Sequence, residues 1–218
     1  MEKFYLELPS IGRKNDALKY IEEFYEYGSQ IHGTGSLDRA LKKGKTYEEW
    51  LDNNIKLHDE SYALEKGLVP SYTYFFVRED DNKIVGMIDL RLGLNEYLRN
   101  FGGHIGYSIR PTERKKGYNK INLYLVLQEA QRYNLEKVLI TCANSNEGSR
   151  KTILSLGGDY EKNTFDKSDN ETMELYWIDV NESLEKYKDI YGQYVSNAKE
   201  NKRSCSKWMK IKLISTGW

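Results

Sequence analysis

The sequence predicts an α/β (α+β) fold, in which strand-like runs alternate with helical ones and a helical stretch closes the chain. Three observations carry that prediction. Tyr72 to Arg78 and Lys83 to Arg91 are β-rich runs joined by Asp80-Asp81-Asn82, a hairpin signal. From Gly103 to Gly158 a strand, a cationic glycine-containing turn, a helix, a further strand and a further helix follow one another. Near both ends, apolar residues recur at three and four spacing, the mark of helices with one buried face.

Taken in order, Phe4 to Leu8 alternates and is closed by Pro9, which suits a first strand. Asn15 or Asp16 then caps a helix whose Ala17, Tyr20, Ile21, Phe24 and Tyr25 share a face and whose stop is Gly28. Glu22, Glu23 and Glu26 on that helix read as a solvated face, with contact to a cationic substrate as the alternative. Gly28 to Gly44 is a Gly-, Ser- and Thr-rich loop containing His32, with a short helical piece near Leu37 to Leu41. Thr46-Tyr47-Glu48-Glu49 is a capping box that opens a helix through Trp50, Leu51, Ile55 and His58, ending by Gly67, with His58 on its packed side. On the second hairpin strand Asp89 and Arg91 are two apart and share a face; buried, they predict either an ion-pair cluster or a substrate pocket.

Leu92 to Phe101 reads as a loop, and Gly102-Gly103 open a strand from His104 to Ile109. Pro111 ends its ladder, Gly117 permits a close backbone approach, and Ile121 to Tyr133 is helical. The first amides of a helix have no partner inside it, so strand, turn and helix start together form an anion site, to which Arg114, Lys115 and Lys116 add charge. Val138 to Cys142 is the next strand, and Asn146 and Ser149 start the helix that ends at Leu156-Gly157-Gly158. Asp159 to Lys162 and Glu171 to Asp179 close the sheet. From Asn181 onward Leu184, Tyr187, Tyr191, Tyr194 and Val195 form a helical stripe, and Lys199 to Trp218 reads either as a docked helix or as the contact for a homodimer or partner.

Composition narrows the function classes. A chain of 218 residues holds one large domain, or a domain with an appendage; the expected division is 1–180, with a core at 103–158, and a helical, basic extension at 181–218. Its 33 basic and 33 acidic residues cancel, so nothing global draws it to nucleic acid or an anionic membrane. Cys142 and Cys205 are the only cysteines and lack partners at metal spacing, so neither a disulfide framework nor a metal is expected. The opening residues lack the apolar run of a secretory signal and no stretch is long enough to span a bilayer, so a soluble cytoplasmic protein is expected.

Arg114-Lys115-Lys116-Gly117-Tyr118-Asn119 resembles the Arg/Gln-x-x-Gly-x-Gly/Ala signature of the Gcn5-related N-acetyltransferases (GNAT), with Asn119 where a small residue is usual. Val138 to Cys142, Asn144, Asn146, Ser149 and Leu156-Gly157-Gly158 are similar to the strand, helix and turn that follow it in that family. The resemblance implies a central mixed, mostly antiparallel sheet of about six to seven strands flanked by helices. It also implies transfer of an acetyl group from acetyl-CoA to a primary amine on a small molecule, peptide or protein, with CoA as product. The amides of Arg114 to Asn119 would hold the pyrophosphate, the pantetheine arm would run beside Ser108, Ile109 and Arg110 as an added strand, and Asn146 and Ser149 would touch the arm. A base and an acid are also needed. His104, with an ordinary pKa near 6.5, is the first choice for the base, with water relaying to Asp89 as the alternative. For the acid, the residue four before Gly157 is Ile153 where many members have tyrosine, which leaves Tyr107, Tyr118 or water. A catalytically silent acyl-CoA-binding regulatory domain is the competing reading. Cys142 reads as a packed thiol.

Overall fold

The computed structural model describes residues 1–196 of the 218. The basic end of the chain, Lys199 to Trp218, lies outside them. Strands β1 (Phe4–Glu7), β2 (Ser71–Arg78), β3 (Lys83–Arg91) and β4 (Ile105–Ile109) form one antiparallel sheet in that order. Strands β5 (Lys137–Ala143), β7 (Glu171–Asp179) and β6 (Asp159–Asp166) form a second antiparallel sheet. The helices are α1 (Lys14–Glu26), α2 (Leu37–Lys42), α3 (Tyr47–Lys56), α4 (Glu60–Glu65), α5 (Tyr118–Arg132), α6 (Glu147–Leu154), α7 (Val180–Lys186) and α8 (Lys188–Tyr191).

Strand alternation assigns side chains to two cores. Tyr5, Phe75, Val77, Ile84 and Met87 face the layer made by α1 to α3, with Tyr20, Phe24, Leu37, Tyr47 and Trp50. Phe4, Leu6, Tyr74, Phe76, Val85 and Ile88 face α5 on the other side. Ile121 and Leu123 to Leu127 are buried all round α5, because the sheet lies under it and α6, α7 and α8 pack around it. The stripe predicted beyond Asn181 folds as α7, α8 and a terminal 3₁₀ turn at Gly192–Tyr194 rather than one helix, and Tyr191 meets Tyr124 of α5 at 5.8 Å between ring centroids.

The capping box forms as read, with Glu49 N–H donating to Thr46 Oγ1 and Thr46 N–H to Glu49. The single helix expected to run to Gly67 is instead two, because Asp59 caps Tyr62 N–H and starts α4 afresh. Ile55 and Tyr25, expected on buried faces, are 54% and 45% exposed. His58 stacks on Tyr72 at 4.1 Å. Helix α1 starts at Lys14 without a side-chain cap.

What positions the site is a fork between the sheets. Gly103 has φ of 62°, and a Cβ there would lie 2.6 Å from the Leu139 carbonyl oxygen. At this point His104 N–H donates to that carbonyl (2.7 Å), and Leu139 N–H donates to His104 Nδ1 (2.8 Å). Beyond it β4 and β5 belong to separate sheets. Among the described residues no helix is long and apolar enough to cross a membrane, and no group of three or more His, Cys, Asp or Glu is placed to hold a metal ion.

Candidate functional site

A cleft of about 690 Å³ lies where the strands part. One edge is β4 and another the turn into α5; α6 and the loop after α1 close it. The edge of β4 is legible from its ladder. Arg110 N–H donates to the Val85 carbonyl, and Ser108 and Gly106 are in register with Met87 and Asp89 of β3. Antiparallel strands spend alternate backbone groups on one neighbour, so those of Tyr107 and Ile109 turn toward the fork. The Ile109 carbonyl there accepts from Arg114 Nε at 3.1 Å.

At the far end, Gly117 begins α5 with φ of 80° and no side-chain cap, and a Cβ on it would meet no protein atom within 4 Å. Backbone conformation, together with open space on the cleft side, is therefore what glycine provides here. Lys115, itself at φ 64°, lines the same space. The turn is fixed from below by Glu113, a buried carboxylate that accepts from Lys83 Nζ (2.7 Å), Lys116 Nζ (2.8 Å) and Arg78 Nη1 (3.0 Å). Burial alone would raise its pKa, but the bonds from Lys116, Lys83 and Arg78 outweigh it and hold it near about 2. From the side, Glu23 of α1 accepts from Thr112 N–H and Oγ1 and from Arg110 Nη1. Glu23 is thus a tie to the turn and not part of a solvated face.

Tyr107, Ser108, Ile109, Arg114, Lys115, Gly117, Tyr118, Asn119, Asn146 and Ser149 all border the cleft; Arg110, Lys116, His104 and Asp89 do not. The side chain of Arg110 turns to the α1 layer, bonding the Ile84 carbonyl and lying over Tyr20. Lys116 is engaged by Glu113. Asp89 is buried in an ion pair with Arg91 (3.1 Å) and accepts from Thr73 Oγ1, so the pair takes the ion-pair alternative. Arg114 also bonds Ser29 Oγ (2.8 Å) and lies over Phe24. Asn119 is within α5 and leans toward Thr152 Oγ1 at 3.5 Å. Asn146 caps Ser149 N–H. The Tyr118 hydroxyl turns away to Glu2.

His104 is 6% exposed, and burial, followed by the charge of Arg91, lowers its pKa to about 4. The neutral ring serves as a backbone acceptor would, holding the fork through Leu139. Because its value unfolded is about 6.5, the unfolded chain binds a proton first as pH falls. Stability is therefore expected to fall from about pH 6.5 to about pH 4, and His104→Gln, which retains an acceptor but does not titrate, should flatten that part of a urea-midpoint series.

The Tyr107 hydroxyl is 2.8 Å from Ser149 Oγ, and burial raises its pKa while the bond to Ser149 opposes the rise. Burial also pushes the Cys142 thiol up to about 11, which keeps it protonated. The loop after α1 contributes Ser29, Gln30 and His32, none singled out by the sequence. It crosses β4 closely: Gly33 has φ of 70°, and a Cβ there would lie 2.4 Å from the Gly106 carbonyl oxygen. Ser108 Oγ donates to the His32 carbonyl at 2.5 Å, and the Tyr20 hydroxyl shares that serine.

An uncapped helix start, an open strand edge and a cleft between them suit an elongated ligand with an anionic end, as CoA is. The model of the acetyltransferase (GNAT) family matches residues 38–157, and the chain belongs to that family. No curated protein matches the sequence. Among solved structures, the chain is similar to a ribosomal-protein-S5-alanine acetyltransferase from Vibrio fischeri (TM-score 0.59, 17% identity, covering 82% of this chain and 94% of that one). It is also similar to a ribosomal L7/L12 alpha-N-protein acetyltransferase in complex with coenzyme A (TM-score 0.58, 15% identity, 82% and 96%). A spermidine/spermine N-acetyltransferase from Vibrio cholerae aligns with TM-score 0.55 at 15% identity over 84% of this chain and 99% of that one. At such identities these likenesses speak for the fold.

Proposed function

We propose that the chain is an N-acetyltransferase that moves the acetyl group of acetyl-CoA to a primary amine by direct attack. The observation that carries this reading is that one cleft joins the uncapped start of α5 to the Tyr107–Ser149 pair along the open edge of β4. Bound acetyl-CoA supplies a thioester carbonyl open to attack. The amides opening α5, with Lys115 beside them, hold the pyrophosphate, and the backbone of Tyr107 and Ile109 lines the pantetheine arm. A free amide on this edge near the carbonyl would stabilise the oxyanion.

Tyr107 takes the role of acid that the sequence left open. Its hydroxyl is kept protonated by burial and oriented by Ser149, so it can donate to the departing thiolate. Tyr107→Phe should lower kcat by about 100-fold and leave acetyl-CoA affinity within twofold, as separate kinetic and calorimetric measurements would show. The names of the aligned structures, which acetylate protein termini and polyamines, agree with an amine acceptor.

Calorimetric titration with acetyl-CoA, with ATP and NAD as controls, tests the reading. Selective saturable binding, followed by thiol release on adding amines, is expected. Absence of binding would overturn it, and binding without thiol release across an amine panel would favour a silent acyl-CoA-binding domain.

A further inference from the structure

We propose that His32 takes the proton from the incoming amine. The inference rests on the acetyltransferase reading above. The chain has three histidines. His104 is locked in the fork by Leu139, and His58 is stacked on Tyr72. His32 alone among them borders the cleft, in the same cavity as Tyr107 and Ser149.

Its placement is built rather than incidental. Its carbonyl is held by Ser108 Oγ, and the next residue, Gly33, rests directly on Gly106 and Tyr107. The backbone of residue 32 is therefore fixed against the strand that borders the cleft, while its side chain reaches solvent. Among the described residues neither ring nitrogen is engaged in a hydrogen bond. A proton acceptor needs such a free lone pair within reach of the acceptor nitrogen.

The surroundings set its protonation. Desolvation lowers the pKa of His32, Arg91 of β3 lowers it further, and Asp38 of α2, Glu171 of β7 and Asp169 of the turn before β7 oppose them. The net result is a pKa below that of a free imidazole, which favours the neutral ring. Those three carboxylates then favour the imidazolium formed when the proton of the neutral amine is taken.

The step balances as follows. The amine nitrogen forms a bond to the thioester carbonyl carbon as its proton passes to His32. The C–S bond breaks and the thiolate takes the Tyr107 proton. His32 returns its proton to water and Tyr107 is reprotonated from water, so the proton lost by the amine is matched by the one gained by the thiol.

The test uses the full chain with His32→Gln and His32→Ala. Both should bind acetyl-CoA within twofold of the wild type by calorimetry. Each should lose about 100-fold in kcat/KM at pH 7, and the acid limb of the pH profile should vanish with it. Added imidazole should restore part of the rate to His32→Ala alone. Turnover and an acid limb equal to the wild type in both variants would overturn the role of His32 while leaving the acetyltransferase reading standing. A wild-type protein that binds no acetyl-CoA would instead sink the reaction itself, and this inference with it.

Discussion

Gly117→Glu is expected to abolish measurable acetyl-CoA binding, with a loss of more than about 1,000-fold in affinity. Two effects add. Any side chain at φ 80° strains the start of α5 by roughly 1–2 kcal/mol. A carboxylate there also places a negative charge where the uncapped amides would meet a pyrophosphate, at a helix start that favours one anion and not two. Gly117→Ala separates the contributions. A Cβ meets no protein atom within 4 Å, so the alanine variant pays only the strain and should bind about 10-fold more weakly. Equal affinity of the glutamate variant and the wild type would remove the turn from the binding site. Calorimetry gives the affinities, and circular dichroism confirms that both variants are folded.

Glu113→Gln is expected to cost about 2–3 kcal/mol of stability, below the range for breaking a fully buried pair because Lys83 and Lys116 reach solvent. For a chain of this size that corresponds to a fall in Tm of roughly 5–10 °C. The sign of its pH dependence follows from the depressed value of about 2. The contribution of the carboxylate is complete above its unfolded pKa of about 4.3 and is lost as pH falls from there toward 2. Wild type and variant should therefore differ most in urea unfolding at pH 7 and converge as pH falls toward about 2. A constant difference across that range would mean that packing, and not charge, accounts for the loss.

The parts of this molecule that were legible in the sequence are those with local causes. Thr46 and Glu49 are three apart, and their reciprocal capping needs nothing beyond the helix they start. Asp80-Asp81-Asn82 turned the hairpin where expected, and Asn82 supplies a φ of 54° there. The strand, the turn glycine and the helix start around the cationic residues could be read because they lie within one short stretch. What was not legible depends on partners distant in the chain. His104 invited a catalytic reading by its residue type, and the bond its ring accepts from Leu139, 35 residues away, could not be read locally. Arg110 announced a charge next to the turn, but strand alternation directs it to Glu23, 87 residues back. Leu57 and His58 carry no glycine or proline, so only the capping capacity of Asp59 signalled the break after α3. His32 lay in a Gly- and Ser-rich loop with no periodicity, and nothing local shows that such a loop lands on β4.

The contact between Gly33 and Gly106 has a bearing on how this protein can be re-engineered. With no side chain between them, the loop after α1 and strand β4 behave as a single casting: this wall of the cleft cannot be set back to make room without also displacing the edge of β4. Transplanting a longer or differently shaped loop from another protein would fail unless glycine were kept at position 33. The side chain of Gln30, which borders the cleft, is instead open to change on a backbone that stays where it is.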